Sequence, residues 1–306
     1  MDELLHRTPP TVWERFRSNP LLFLARLLYS PPIQSNSSSR SIRIVCISDT
    51  HNTHLSQPPL PPGDILIHAG DLTLSGTQQE HDAVLSWLES LPYPHKFFVA
   101  GNHDSFLAHP DALQYVSSKY PSLTYLQESS AEVTIRGRML RIYGSPYTPK
   151  HGSWVFQYPR AHPALYSTSQ NEDQATKIWS RVPLLTDILV THGPPLGHLD
   201  NNVAAAGCYA LLAALWRVRP KVHVFGHIHV GRGVRVVNWD AQQKAYEQVI
   251  AGRVGWMGLL SLVRNSILAL FCGESRGEEG ATVMVNAAAV AGFRDDQTKG
   301  AILIEI

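Results

Sequence analysis

Five short apolar runs, each leading into histidine, aspartate or asparagine and four of them beside a glycine, constrain this chain more than any other feature. The first, Ile42 to Ile47, is rich in β-branched residues, reads as a buried strand, and leads into Asp49-Thr50-His51. A carboxylate and an imidazole thus leave the strand at its C-terminal end, where open α/β sheets place their ligands. Alone, that tripeptide reads more readily as a turn with a solvated Asp and a stray His. The pattern recurs, however. Ile65 to His68 runs into Gly70-Asp71, and Lys96 to Ala100 into Gly101-Asn102-His103-Asp104. Asp187 to Thr191 runs into His192-Gly193-Pro194-Pro195, and Val222 to Phe225 into Gly226-His227-Ile228-His229.

Between these runs the periodicity alternates. Ala83, Val84, Trp87, Leu88 and Leu91 recur at helical spacing after Gly76, and Tyr209 to Val218 predicts another helix. Strand-like pieces at Leu123 to Leu126, Val133 to Ile135, Met139 to Tyr143, Val234 to Val237, Thr282 to Asn286 and Ala301 to Ile306 complete an α/β pattern. Pro58 to Pro62 keeps the loop after the first strand out of helix.

Each polar end also has a plain structural reading. Asp71 after glycine suits a helix cap, and Asn102 suits a turn. His227 and His229 alternate along an extended segment, which points them to opposite faces unless the backbone turns, as Gly226 permits. Composition narrows the field further. A net charge of +1 over 306 residues argues against a bulk nucleic-acid binder. Three scattered cysteines without CxxC spacing exclude a disulfide framework or a thiolate zinc site and point to a reducing, cytoplasmic setting.

Two segments stand apart from this core, which spans residues 41–306. Residues 1–40 form an N-terminal extension, amphipathic or partly disordered. Asp2 and Glu3 replace a basic leader, and Trp13, Phe16, Phe23 and Leu27 suggest an amphipathic helix. Pro31-Pro32 and Ser35 to Ser39 read as a flexible linker. The second segment is an insertion around 241–280, where Gly255 to Cys272 is apolar except for Arg264, Asn265 and two serines. Neither apolar stretch is long and clean enough to span a bilayer. Packing on the protein itself is the favoured reading, and peripheral membrane contact the less favoured one.

In order, the motifs are DxH (Asp49, His51), GD (Asp71), GNHD (Asn102, His103, Asp104), THGP (His192) and GHxH (His227, His229). Together they resemble the calcineurin-like metallophosphoesterases. The strings DILVTHGPPLGHLD and HVFGHIHVGRG, with Gly207-Cys208 between them, are similar to the class III cyclic-nucleotide-phosphodiesterase-like branch, the metallophosphoesterase domain-containing proteins. The resemblance covers Ser41 to Val237 and the C-terminal strands, not the extension or the insertion. It implies a four-layer α-β-β-α sandwich of two mixed sheets.

It also implies two divalent ions, Mn, Fe or Zn. Asp49, His51 and His229 would hold one, Asn102, His192 and His227 the other, with Asp71 bridging. His103, held by Asp104, would protonate the leaving alkoxide. The chemistry agrees with those residue types. A phosphate ester needs its charge offset, a nucleophile made from water, and a stabilised leaving oxygen, and a close pair of cations meets all three needs. The expected substrate is a small phosphoester, with phosphodiesters such as cyclic nucleotides suggested by the branch. The alternatives are a phosphomonoesterase or protein phosphatase, and, from another class, a metal-binding scaffold without catalysis.

Overall fold

The computed structural model describes residues 11–29, 41–160, 174–200, 206–271, 280–291 and 297–306. The first sheet carries β1 (Arg43–Ile47), β2 (Ile65–His68), β3 (His95–Phe98) and β4 (Leu123–Tyr125), all parallel. Beyond them come β5 (Ser129–Ile135) and β6 (Arg138–Ser145), then a short pair, β7 (Thr148–Pro149) and β8 (Gln157–Tyr158). The second sheet is completed by β9 (Ile188–Thr191), β10 (Val222–Phe225), β11 (Gly233–Val237) and β12 (Thr282–Asn286), in the order β11-β12-β10-β9-β6-β5. A small pair, β13 (Val290–Ala291) and β14 (Gln297–Thr298), precedes β15 (Ile302–Glu305), which returns antiparallel to β1 at the edge of the first sheet. Both sheets are therefore mixed.

Alternation along each strand sorts its side chains between two layers. Ile44 and Cys46 of β1 face the other sheet, joining Ile65, Ile67, Leu140, Ile188, Val190, Val222, Val224 and Val285 in the central core. Val45 and Ile47 point the other way, against a helical layer. That layer is built from α3 (Gln78–Ser90), through Val84, Leu85 and Leu88, and α4 (Ala112–Lys119), through Val116. The helices α5 (Gln174–Ser180) and α6 (Tyr209–Val218) cover the outer face of the second sheet, where Trp179, Leu211 and Leu215 meet Leu189, Phe225 and Met284. The result is the α-β-β-α sandwich. A strand buried on both faces needs the near-continuous apolar sequence that made β1, β2, β9 and β10 legible.

The N-terminal segment breaks where one amphipathic helix was expected. The helices α1 (Val12–Ser18) and α2 (Pro20–Leu28) meet at Asn19, whose backbone N–H closes the first on Arg15 O, 3.4 Å away. The Asn19 side chain then accepts from Leu22 N at 3.0 Å to cap the second, and Pro20 stands in its first turn. The linker read at Pro31 to Ser39 lies outside the described residues. The insertion holds α7 (Ala241–Ile250), which the sequence did not announce, and α8 (Trp256–Phe271). Tyr246, Val249, Ile250, Leu259 and Leu262 pack with Ala25 and Tyr29 of the extension and with Leu196 and Leu212 of the sandwich. Tyr29 stacks on Tyr246 at 4.1 Å between ring centroids. Among the described residues, no helix is long and apolar enough to cross a membrane.

Candidate metal centre

Strand register sets the site. Ile47 of β1 lies opposite His68 of β2, and His68 opposite Phe98 of β3, so three parallel strands end level. The loops that follow carry Asp49 and His51, Asp71, and Asn102 and His103. In the second sheet Val190 of β9 lies opposite Val224 of β10, so the loops with His192 and with His227 and His229 also start together. The loops interlock through their backbones. Asp49 N donates to Gly70 O at 2.9 Å, His51 N to Asp71 O at 3.2 Å, and Gly226 N to His192 O at 2.8 Å.

Four of the expected ligands adopt the left-handed backbone that L-residues seldom occupy: Asp49 (φ 53°), His51 (φ 40°), Asp71 (φ 50°) and His227 (φ 68°). Each costs on the order of 1–3 kcal/mol, and such residues gather at functional sites. The turn that brings His227 and His229 to one side is therefore made by His227 itself, not by Gly226. Gly226 is small for a different reason. A Cβ there would lie 2.0 Å from Asp49 Oδ2 and 2.1 Å from Ser48 Oγ. Gly226→Ala is expected to displace the Asp49 carboxylate and weaken Mn binding by about 10–100-fold, as lost support around a ligand does; calorimetric titration with Mn checks it.

All seven expected ligands converge. Side-chain donor atoms of Asp49, His51 and His229 lie within 4.8 Å of one another, as do those of Asp71, His192 and His227. Asn102 joins the second group, its Oδ1 3.0 Å from His192 Nε2. Asp71 Oδ2 lies 3.3 Å from His192 Nε2 and 3.8 Å from His51 Nε2, so one carboxylate oxygen faces both groups. On the outer side, His229 Nε2 approaches Asp49 Oδ1 at 3.3 Å. Imidazole nitrogens, carboxylate oxygens and one amide oxygen, without thiolate, suit borderline divalent cations. His103 comes within the same 4.8 Å of His51 and Asp71.

Three of these imidazoles are aimed by the loop after β2. Ala69 O lies 2.9 Å from His192 Nδ1, Thr73 O 3.2 Å from His51 Nδ1, and Leu74 O 2.7 Å from His103 Nδ1. A carbonyl only accepts, so each Nδ1 carries the proton and each Nε2 is turned to the centre. This corrects the expected pairing of His103 with Asp104. The Asp104 carboxylate is buried and faces away, accepting from Gly101 N, Leu72 N, Thr73 N and Thr73 Oγ1 at 2.8–3.2 Å. His81 Nε2 of α3 stands 3.4 Å from it. Asp104 ties the β2 and β3 loops together, and adjacency in sequence gave no view of that direction.

Electrostatics are those of a cation site. Burial pushes the Asp49 carboxyl up, but the hydrogen bond and charge of His229 and the charge of His192 outweigh it and leave it at about 2. Asp71 is likewise held well below the carboxylate range, burial being overcome by His192, His51 and His103. Burial pulls His192 down, yet Asp71 and Asp49 lift it to about 9. Burial and the charge of His192 drive His227 down to about 3. The two carboxylates thus favour a positive charge among these imidazoles.

Beside the centre opens a groove of about 470 Å³, lined by His151, Arg160, His227, His229 and Val230. Arg160 is held at its rim by a 2.8 Å hydrogen bond to Ala206 O. On the other side the Trp154 indole stacks on the His103 ring, 4.0 Å between centroids. His151 and Trp154 come from one loop between β7 and β8, so that loop straddles the centre. The sequence reading missed Trp154, because a tryptophan in a loop far from the motifs carries no signal of its contact.

The fold and the site define a candidate metal centre of histidine, aspartate and asparagine side chains at one edge of an α-β-β-α sandwich. The sequence pattern of the calcineurin-like phosphoesterases matches residues 42–231, a span that holds every candidate ligand and His103. The chain belongs to that family. A protein of Emericella nidulans named probable rhamnogalacturonate lyase C is 42% identical over 318 aligned residues, covering 100% of this chain and 29% of its own length. Human metallophosphoesterase domain-containing protein 1 is 40% identical over 217 residues, 63% of this chain and 62% of its own. A UPF0046 protein of Caenorhabditis elegans is 35% identical over 218 residues, 67% of this chain and 68% of its own. The chain thus spans 29% of the fungal relative and 62% of the human one.

Proposed function

We propose that the chain hydrolyses phosphodiesters, cyclic nucleotides among them, with two divalent ions, Mn, Fe or Zn. Asp49, His51 and His229 would hold one, Asn102, His192 and His227 the other, and Asp71 would serve both. The observation that carries this reading is the Asp71 carboxylate, whose Oδ2 faces His192 at 3.3 Å and His51 at 3.8 Å. Bound cations supply charge at the phosphoryl oxygens and acidify water near neutral pH.

The chain's own groups do the rest. His103, its Nδ1 proton committed to Leu74 O, presents Nε2 to take up a second proton from solvent and pass it to the leaving oxygen. Trp154 restrains that ring from its other face. The groove beside His227 and His229 offers the Arg160 guanidinium and the apolar Val230 to the far end of a substrate, which suits a nucleoside. Against a phosphomonoester dianion stands Arg232, the cation nearest to GHxH in sequence. Its guanidinium is committed to the carbonyls of Ala288 and, at 3.2 Å, Lys299.

A substrate panel with Mn tests the reading: bis-p-nitrophenyl phosphate and cyclic nucleotides against p-nitrophenyl phosphate and a phosphopeptide. Diesters are expected to be turned over at least about tenfold faster, a difference of ~1.4 kcal/mol in barrier. Preference for the monoesters would replace the substrate class. A fully metal-loaded protein that hydrolyses none of them would make the chain a scaffold.

A further inference from the structure

Packing explains only one face of the inserted helix. Leu259 and Leu262 of α8 are buried against α2 and α7, yet Trp256, Met257 and Leu260 on the opposite side are 58%, 77% and 61% exposed. Ile267 and Leu268 are exposed by 48% and 50%. At 3.6 residues per turn, these five and Arg264 fall within roughly a third of the helix circumference. They form one continuous apolar stripe with a single cation inside it.

The charge around the stripe identifies what covers it. From Ala251 to Phe271 the sequence contains Arg253 and Arg264 and no acidic residue, the next being Glu274, Glu278 and Glu279, outside the described residues. Both arginines are exposed, Arg253 just ahead of the helix and Arg264 inside the stripe. A second copy of the chain docked here by a twofold axis would bury Arg264 in an apolar seam near its own mate, leaving like charges unpaired at high cost. A lipid surface has no such conflict. The arginine stem lies along the acyl boundary while its guanidinium reaches a headgroup phosphate. Tryptophan at the leading end of the helix is the residue type favoured at that depth.

We infer that the outer face of α8 is a docking surface for an anionic membrane, with the helix lying in the plane of the interface. This would hold the chain at a bilayer surface through one helix face. It does not depend on the catalytic reading.

The test is flotation of the full-length protein with phosphatidylcholine vesicles, with and without phosphatidylserine. At low salt the protein should float with the phosphatidylserine vesicles. It should do so several-fold less with phosphatidylcholine alone or at high salt, because each basic residue near an anionic surface contributes about a fivefold preference. Leu260→Glu should reduce flotation by about tenfold or more, and Arg264→Glu should remove the dependence on phosphatidylserine. Both variants should melt at the parent temperature, since both side chains are exposed. An intact chain left with the soluble fraction, or flotation untouched by Leu260→Glu, overturns the proposal. So does a vesicle-free dimer that Leu260→Glu dissociates, which would make the stripe a contact between copies.

Discussion

Replacing Asp71 with Asn is expected to strip both cations at once and to lower hydrolysis by roughly 10³-fold or more, the several kcal/mol that a metal pair contributes. The loaded parent protein should carry close to two equivalents of transition metal, and the variant close to none. The reason is geometric. Asp71 Oδ2 lies 3.3 Å from His192 Nε2 and 3.8 Å from His51 Nε2, one in each donor group. The side-chain amide would keep the shape but lose the negative charge that sets the local balance. Its other oxygen also accepts from His103 N at 2.8 Å, so the substitution disturbs the β3 loop as well. Elemental analysis of both proteins after Mn loading decides the matter. A variant retaining a full equivalent in either group would show that Asp71 belongs to one cation alone.

The second large effect separates proton delivery from ligation. His103→Ala should leave the metal content unchanged and slow the hydrolysis of alkyl phosphodiesters by about 10²–10⁴-fold. Aryl esters, whose leaving group needs little protonation, should lose far less. Because His103 shares a 4.8 Å neighbourhood with His51 and Asp71, distance alone does not distinguish an acid from a ligand. Metal content and leaving-group dependence do. Equal losses for p-nitrophenyl and alkyl diesters would assign His103 to substrate or metal positioning.

Much of this site is legible in sequence because its ligands follow strands buried on both faces. Runs such as Ile42 to Ile47 and Val222 to Phe225 leave little choice of structure, and the polar residues after them then share one end of the sandwich. What sequence does not carry is direction. Asp104 follows His103 directly, yet its carboxylate turns to the backbone of Leu72 and Thr73 while the imidazole turns to Leu74 O. The carbonyls of Ala69, Thr73 and Leu74 that aim three imidazoles belong to residues whose side chains announce nothing. Nor do composition or spacing disclose that Asp49, His51, Asp71 and His227 hold left-handed backbones. The packed insertion was half visible: α8 stood out by its apolar run, while α7 is polar enough to pass for loop.

The position of β12 has a consequence for how this chain could be shortened. The family-matching span ends at 231, yet β12 (Thr282–Asn286) lies between β10 and β11, and β15 (Ile302–Glu305) completes the edge beside β1. A fragment trimmed to the matched residues would keep every candidate ligand and still leave β10 open along one side. Its Leu196 and Leu212 would also lose Tyr246, Ile250 and Leu259 as cover. Such an open edge and bared apolar surface invite aggregation. The smallest unit expected to fold is therefore larger than the stretch that holds the candidate ligands, and deletions made by that stretch alone would report on aggregation rather than on the site.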